Sequence, residues 1–177
     1  AAYSPPMPFS KFGLRREIMA AIRKAGYTRP TPVQDAAIPK VMLGNDLTAI
    51  AQTGTGKTAA FVLPILHRIA EAHRPDRPRL IKALILAPTR ELAMQIMENI
   101  RSYGDGLPVR VAAIFGGVEE VPQISALQKG VQIVVATPGR LIELIGKHRL
   151  DFSALETLVL DEADRMLDMG FLSDIEN

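Results

Sequence analysis

The sequence predicts an α/β fold, a doubly wound parallel sheet flanked by helices. Two observations predict it. Five short runs are apolar nearly throughout rather than alternating: LTAIA (47–51), ALILA (83–87), VRVAAIF (109–115), VQIVVA (131–136) and LETLVLD (155–161). Strands covered on both faces have that composition. Between the runs lie helical patterns that begin near Lys57, Arg90, Val121 and Pro138. Strand alternating with helix is the pattern of a parallel, doubly wound sheet.

Each element has its own local reason. Ahead of the first strand, LRREIMAAIRKAG places Leu14, Ile18, Ala21 and Ile22 on one helix face, and Gly26 closes it. YTRPTP is a turn-like break, and a second helix runs from Val33 to Leu43 before Gly44 and Asn45. The stretch HRPDRPRLIK (73–82) is charged and contains proline, and it reads as a solvated connection. No internal repeat or low-complexity tract interrupts the pattern. Residues 1–10 read as a Pro-rich extension and 11–177 as one domain.

Composition narrows the functional classes. The 177 residues are 47% hydrophobic and 23% charged, enough to bury a core. There is no cysteine, which excludes a disulfide framework and fits a reducing, cytoplasmic setting. His67, His73 and His148 lack a paired metal-ligand spacing and are expected to be ordinary surface or loop residues. The formal charge of +2 permits nucleic-acid binding without arguing for it. No apolar run approaches the ~18 residues of a membrane span. The start, AAYSPPMPFS, lacks the basic and apolar regions of a signal peptide. It also lacks an initial Met, so the chain is expected to be a processed or cut piece of a longer one.

Chemistry concentrates in AQTGTGKT, from Ala51 to Thr58. The segment follows a predicted strand and opens a predicted helix, where ligands of a parallel sheet collect. Gly54 and Gly56 let the backbone of Ala51, Gln52, Thr53, Gly54, Thr55 and Gly56 curl its N–H groups around a phosphate. The helix amino end adds partial positive charge. Lys57 then meets the β- and γ-phosphates of a nucleotide, and Thr58 offers its hydroxyl to Mg²⁺. The other reading is a Gly-rich turn with an incidental lysine. Strand before, helix after and the Lys-Thr pair together weigh against it. The generic pattern has Gly where this chain has Ala51.

LVLDEAD, at the end of another apolar strand, supplies the acidic partners. Asp161 at the strand tip is suited to hold Mg²⁺ through water, and Glu162 to orient and deprotonate an attacking water. Alone, such a run would more often be a charge pair at a helix amino terminus. Beside the phosphate loop, the catalytic reading prevails.

GYTRPTPVQ, AQTGTGKT, PTREL, FGG, TPGR and DEAD occur in that order, and with them the sequence resembles the DEAD-box RNA helicases from about Phe9 to its carboxyl end. Ala51 matches that family's own form of the loop. LVLDEADRMLDMGF and FGGVEEVPQ look most like the bacterial RhlE-type branch. The resemblance implies a RecA-like P-loop domain, the amino-terminal half of an ATP-dependent RNA helicase. ATP and RNA would lie in a cleft shared with a second RecA-like domain.

Further residues carry over by position. Gln34 matches the glutamine that reads adenine; outside this motif it would be a helix-surface residue. Tyr27 matches the aromatic against the base, and Phe9 the isolated upstream aromatic. Pro88, Thr89 and Arg90 match one RNA-contact motif, Gly116 and Gly117 a second, and Thr137, Pro138, Gly139 and Arg140 a third. Backbone N–H groups, hydroxyls and helix ends grip phosphate and sugar without reading bases. Taken alone, TPGR is merely a helix start, and Arg90 and Arg140 also suit structural ion pairs. Asp164 and Arg165 match positions that couple the nucleotide site to RNA.

The sequence departs from the family at its end. The Ser-Ala-Thr motif and the second domain with its arginine fingers are absent from these residues. The stretch is therefore expected to bind ATP weakly and hardly to hydrolyse it. In this fold the strand ahead of the Ser-Ala-Thr motif lies between the phosphate-loop strand and the acidic-motif strand. That slot is expected to be empty here, to be filled by residues beyond Asn177 or by another chain. Two other functions stay open: a nucleotide-dependent RNA or protein clamp without turnover, and a DNA-directed or non-helicase phosphate-loop ATPase.

Overall fold

The computed structural model describes residues 9–44, 47–49, 57–147 and 150–162, with residues 47–49 as strand backbone. A 3₁₀ turn, Phe9–Phe12, leads into α1 (Arg16–Lys24) and α2 (Pro32–Met42). Strands and helices then alternate: β1 (Leu47–Ala49), α3 (Lys57–Ala72), β2 (Ala83–Leu86), α4 (Arg90–Tyr103), β3 (Val111–Ile114), α5 (Glu120–Gln128), β4 (Ile133–Ala136), α6 (Pro138–Lys147) and β5 (Thr157–Asp161). The four later helices begin within one residue of their expected starts. The five strands pair in parallel in the order β1-β5-β2-β4-β3.

One face of the sheet carries α1 to α4, packed on Ala83, Ile85, Ile133, Val135 and Val159. The other carries α5 and α6, where Leu141 and Leu144 meet Leu84, Leu86, Val134 and Ala136. The central strands β2 and β4 are buried at every residue. The expectation of strands covered on both faces fails for β3 and β5, whose residues alternate between buried and half-buried. β3 is an edge strand, paired on one side only. On β5, Leu158 and Leu160 lie half-covered beside the second cluster.

The empty slot is also overturned. β1 and β5 are directly hydrogen-bonded, in the register Leu47↔Val159, Thr48↔Leu160 and Ala49↔Asp161. Two apolar strands held apart would leave their N–H and C=O groups unpaired. Direct pairing satisfies those groups within this chain.

His67 is not the ordinary surface residue the sequence suggested. It sits half-buried on α3, and its Nδ1 accepts the backbone N–H of Arg15 at 3.1 Å. The same arginine's guanidinium reaches Glu71 at 2.8 Å, one helical turn further on. Together they pin the start of α1 to α3. Burial, before the opposing influence of Glu71, pushes the His67 imidazolium below its usual range. The native state therefore resists protonation more than the unfolded chain does. Stability is complete above about pH 6.5 and falls as pH drops through the lowered native value. His67→Asn, which keeps an acceptor near Nδ1, is expected to flatten the urea midpoint between pH 6.5 and 5.5, where the unaltered chain loses stability. Equal slopes for both would remove His67 as the cause.

Among the described residues, no helix is long and apolar enough to cross a membrane.

Candidate nucleotide and nucleic-acid site

In a parallel sheet all carboxyl ends lie along one edge, and the residues singled out by the sequence gather there. The register Ala49↔Asp161 puts the end of β1 beside the end of β5. Residues 51–56 lie outside the described residues, which covers the expectations for Ala51, Gln52, Thr53, Gly54, Thr55 and Gly56. So do Asp164 and Arg165. Lys57 and Thr58 open α3, a helix whose buried side chains, Phe61, Leu63 and Leu66 among them, anchor it in the core. The amino end of a helix, with its N–H groups and dipole, favours an anion.

Lys57 and Asp161 meet. Lys57 Nζ lies 2.8 Å from Asp161 Oδ1, with the two residues 4% and 0% exposed. This is a buried ion pair at the tip of the sheet. Burial raises the Asp161 carboxyl above the usual carboxylate range, and Lys57 opposes that shift without cancelling it. Lys57 and the Glu162 backbone N–H face the Asp161 carboxylate, and its buried Oδ2 makes no hydrogen bond of good geometry among the described residues. An orphaned carboxylate oxygen in a polar site suits a hard divalent cation. Thr58, half-exposed on the first turn of α3, adds a hydroxyl close by in sequence to Lys57.

Glu162 follows with φ +53, the only non-glycine among the described residues with positive φ. The left-handed conformation turns the chain sharply at the strand tip. It costs a residue with a side chain roughly 1–2 kcal/mol, and such strain concentrates at functional sites.

Gln34 is fully buried rather than on the helix surface. It is the third residue of α2, and its Oε1 accepts the Thr31 N–H at 2.9 Å while Thr31 Oγ1 accepts the Gln34 N–H at 3.3 Å. This reciprocal capping box holds the glutamine carbonyl in one orientation. Tyr27 packs its ring against Tyr103 of α4, with centroids 6.5 Å apart. Burial and the contact with Tyr27 raise the Tyr103 hydroxyl well above its usual value. Phe9, 2% exposed, lies in the main core beside Phe12.

The three groups matched to RNA contacts converge at the ends of β2, β3 and β4. Pro88 is buried, and Thr89 caps α4 by accepting the Leu92 N–H at 3.2 Å. Gly116 and Gly117 are exposed after β3, and Gly117 has φ +82. A Cβ on Gly117 would stand 2.8 Å from a guanidinium nitrogen of Arg90. Thr137 hydrogen-bonds back to Ile114, and Pro138 begins α6 with Gly139 and Arg140 behind it. Arg140 donates to the Val118 carbonyl at 3.2 Å and to Gln123 Oε1 at 3.3 Å, and it pairs with Glu143 at 3.3 Å. Gln123 in turn donates to the Phe115 carbonyl at 2.9 Å. Arg140 thus ties α6 to the loop after β3. Arg90 has no ion-pair or hydrogen-bond partner among the described side chains. Gln123, buried between these loops, was not singled out in the sequence. One glutamine in a nine-residue helix carries no signal of its own.

Known proteins resemble this chain in sequence and fold. The family model described as DEAD/DEAH box helicase matches residues 31–177. A probable ATP-dependent RNA helicase, vasa-like, of Penaeus vannamei is 47% identical over 95% of this chain and 24% of its own length. The ATP-dependent RNA helicase CshA of Listeria monocytogenes is 47% identical over 95% of this chain and 31% of its own. The helicase RhlB of Xanthomonas oryzae is 44% identical over 94% and 30%. The chain thus spans about a quarter to a third of these curated relatives. The crystal structure of a DEAD box protein from the hyperthermophile Methanococcus jannaschii superposes with TM-score 0.85 at 40% identity, over 96% of this chain and 45% of that one. With its motifs in order, its RecA-like sheet and these relatives, the chain belongs to the DEAD/DEAH box helicase family.

Proposed function

We propose that this chain is the ATP- and RNA-binding amino-terminal domain of an ATP-dependent RNA helicase that couples hydrolysis to local duplex separation. The observation that carries the reading is the buried contact of Lys57 with Asp161 at 2.8 Å. It joins the end of the phosphate loop to the acidic motif at one point. Lys57 exchanges Asp161 for the β- and γ-phosphates when nucleotide enters. Thr58 and Asp161, whose Oδ2 makes no hydrogen bond of good geometry among the described residues, would hold Mg²⁺. The ion, when bound, neutralises charge on the transferring phosphate. Glu162 takes the proton of the attacking water. Gln34, oriented by Thr31, presents its amide to adenine.

Thr89, Arg90, Gly116, Gly117 and Thr137 to Arg140 form a second site for RNA phosphate and sugar, with little sequence preference. The second RecA-like domain of the whole protein closes over both ligands. It supplies the arginines that accelerate phosphoryl transfer, worth roughly 10³–10⁵ in rate in related enzymes. The RhlE-type branch rests on LVLDEADRMLDMGF and VEEVPQ. In the full-length protein, ATP hydrolysis measured by phosphate release is expected to rise with single-stranded RNA and not with DNA of the same sequence. Equal stimulation by both would replace this reading with a DNA-directed one.

A further inference from the structure

The opposite edge of the sheet, at the amino ends of the strands, holds a feature the nucleotide chemistry does not use. The connection 73–82 runs between two adjoining cavities of about 480 and 240 Å³. Pro78, Arg79 and Leu80 line both and form the ridge between them. The larger has an aliphatic wall of Ile81, Ile124, Leu127, Leu144 and Leu150. The rims are basic: Arg79 and Lys129 at the larger cavity, Arg74, Arg77 and Lys82 at the smaller.

These cations are poorly compensated. Of the two carboxylates in the lining, Glu156 is shared by Arg68 and Lys82, and Asp151 accepts from Ser153. Arg74 reaches only the backbone carbonyls of Glu71 and His73. Arg79 Nε is buried without a partner among the described residues. Arg74, Arg77, Arg79 and Lys129 have no carboxylate within ion-pair distance among the described residues. The connection is largely exposed, as the sequence suggested, and it also sets a cluster of unmatched cations beside an apolar wall.

We infer that this groove docks an acidic peptide segment of a partner protein, with an aliphatic side chain seated in the larger cavity and carboxylates on the arginine ridge. The chemistry selects peptide over nucleic acid. A site that stacks the bases of single-stranded RNA uses aromatic platforms, and the larger cavity is lined by none; a grip on RNA phosphate and sugar alone would leave its aliphatic wall without a use. Its volume falls in the range of pockets that take small ligands, ample for a leucine or isoleucine side chain. Bidentate arginines suit carboxylates as well as phosphates, so the apolar floor decides. The groove lies on the far edge from Lys57, so docking there leaves the nucleotide site open.

The probe is a fluorescein-labelled peptide with one Leu-Ile pair flanked by glutamates, titrated by anisotropy against the full-length protein. The double variant Arg77→Glu/Arg79→Glu is expected to weaken binding by about tenfold or more, with an affinity that falls as salt rises. A peptide with Ser-Ser for Leu-Ile is expected to lose binding to the unaltered protein, and Lys24→Ala, an exposed cation lining neither cavity, is expected to leave it unchanged. Arg77 is exposed and Arg79 half-buried, so circular dichroism checks that the double variant is folded, and Arg77→Glu alone, at the exposed position, is expected to weaken binding in the same direction. Absence of peptide binding, or equal affinity for the folded variant, overturns the proposal. So does a single-stranded RNA competitor that displaces the peptide and whose own binding is lost in the variant.

Discussion

Replacing Lys57 by Met is expected to lower the unfolding free energy by about 3–5 kcal/mol, because it leaves a buried carboxylate without its counter-charge. Adding Asp161→Asn to the same chain is expected to restore most of that loss. The pair is buried on both sides, so the two changes share one interaction and do not add. The pH dependence has a definite sign. Burial already holds the Asp161 carboxyl above its usual range. Its native form therefore keeps a proton that the unfolded chain releases, and that contribution is present at low pH and lost as pH rises through the native value. Without Lys57 the native value moves higher still. The deficit of Lys57→Met should accordingly be larger at pH 8 than at pH 5 in urea denaturation, and the double variant should show little of this difference. A deficit independent of pH would mean that Asp161 does not carry the penalty.

Turnover should depend on the neighbouring residue in a different way. In the full-length protein, Glu162→Gln is expected to reduce kcat for ATP by about 10²–10⁴, the usual contribution of a positioned base. Nucleotide affinity should change little, since the amide keeps the shape and the left-handed turn at φ +53 remains. Lys57→Met is expected to impair binding and turnover together. This division separates a group that acts on the reacting water from one that holds the phosphates. Unaltered turnover in Glu162→Gln would take the proton-transfer role from it.

How much of this was readable beforehand depended on how local the cause was. Strand runs and helix starts follow from period and composition, and Lys57, Arg90 and Pro138 open their helices as expected. The convergence of Lys57 with Asp161 also followed, because in a parallel sheet the carboxyl ends share one edge. Register did not follow. The direct pairing of β1 with β5 depends on which backbone groups find partners, and an apolar run does not name its neighbour. Likewise β3 and β5 alternate in burial through their place in the sheet, not their own sequence. His67 escaped because its partner, the Arg15 N–H, lies 52 residues away. Gln34 could have been read better. Thr31 followed three residues later by Gln34 is itself a capping-box pattern, and that pattern explains its burial at the helix start.

The guanidinium of Arg90 resting over Gly117 has a consequence for variation in this chain. The space it fills exists because a hydrogen stands where other residues carry a carbon. Alanine at 117 would displace the far end of the exposed Arg90 side chain, a small shift, but would also have to adopt a backbone angle that suits it badly. The left-handed backbone, more than the nearby guanidinium, is what ties position 117 to glycine. A side chain there would strain the turn after β3 and push the Arg90 charge away from it, so one substitution would disturb two of the groups gathered at this edge.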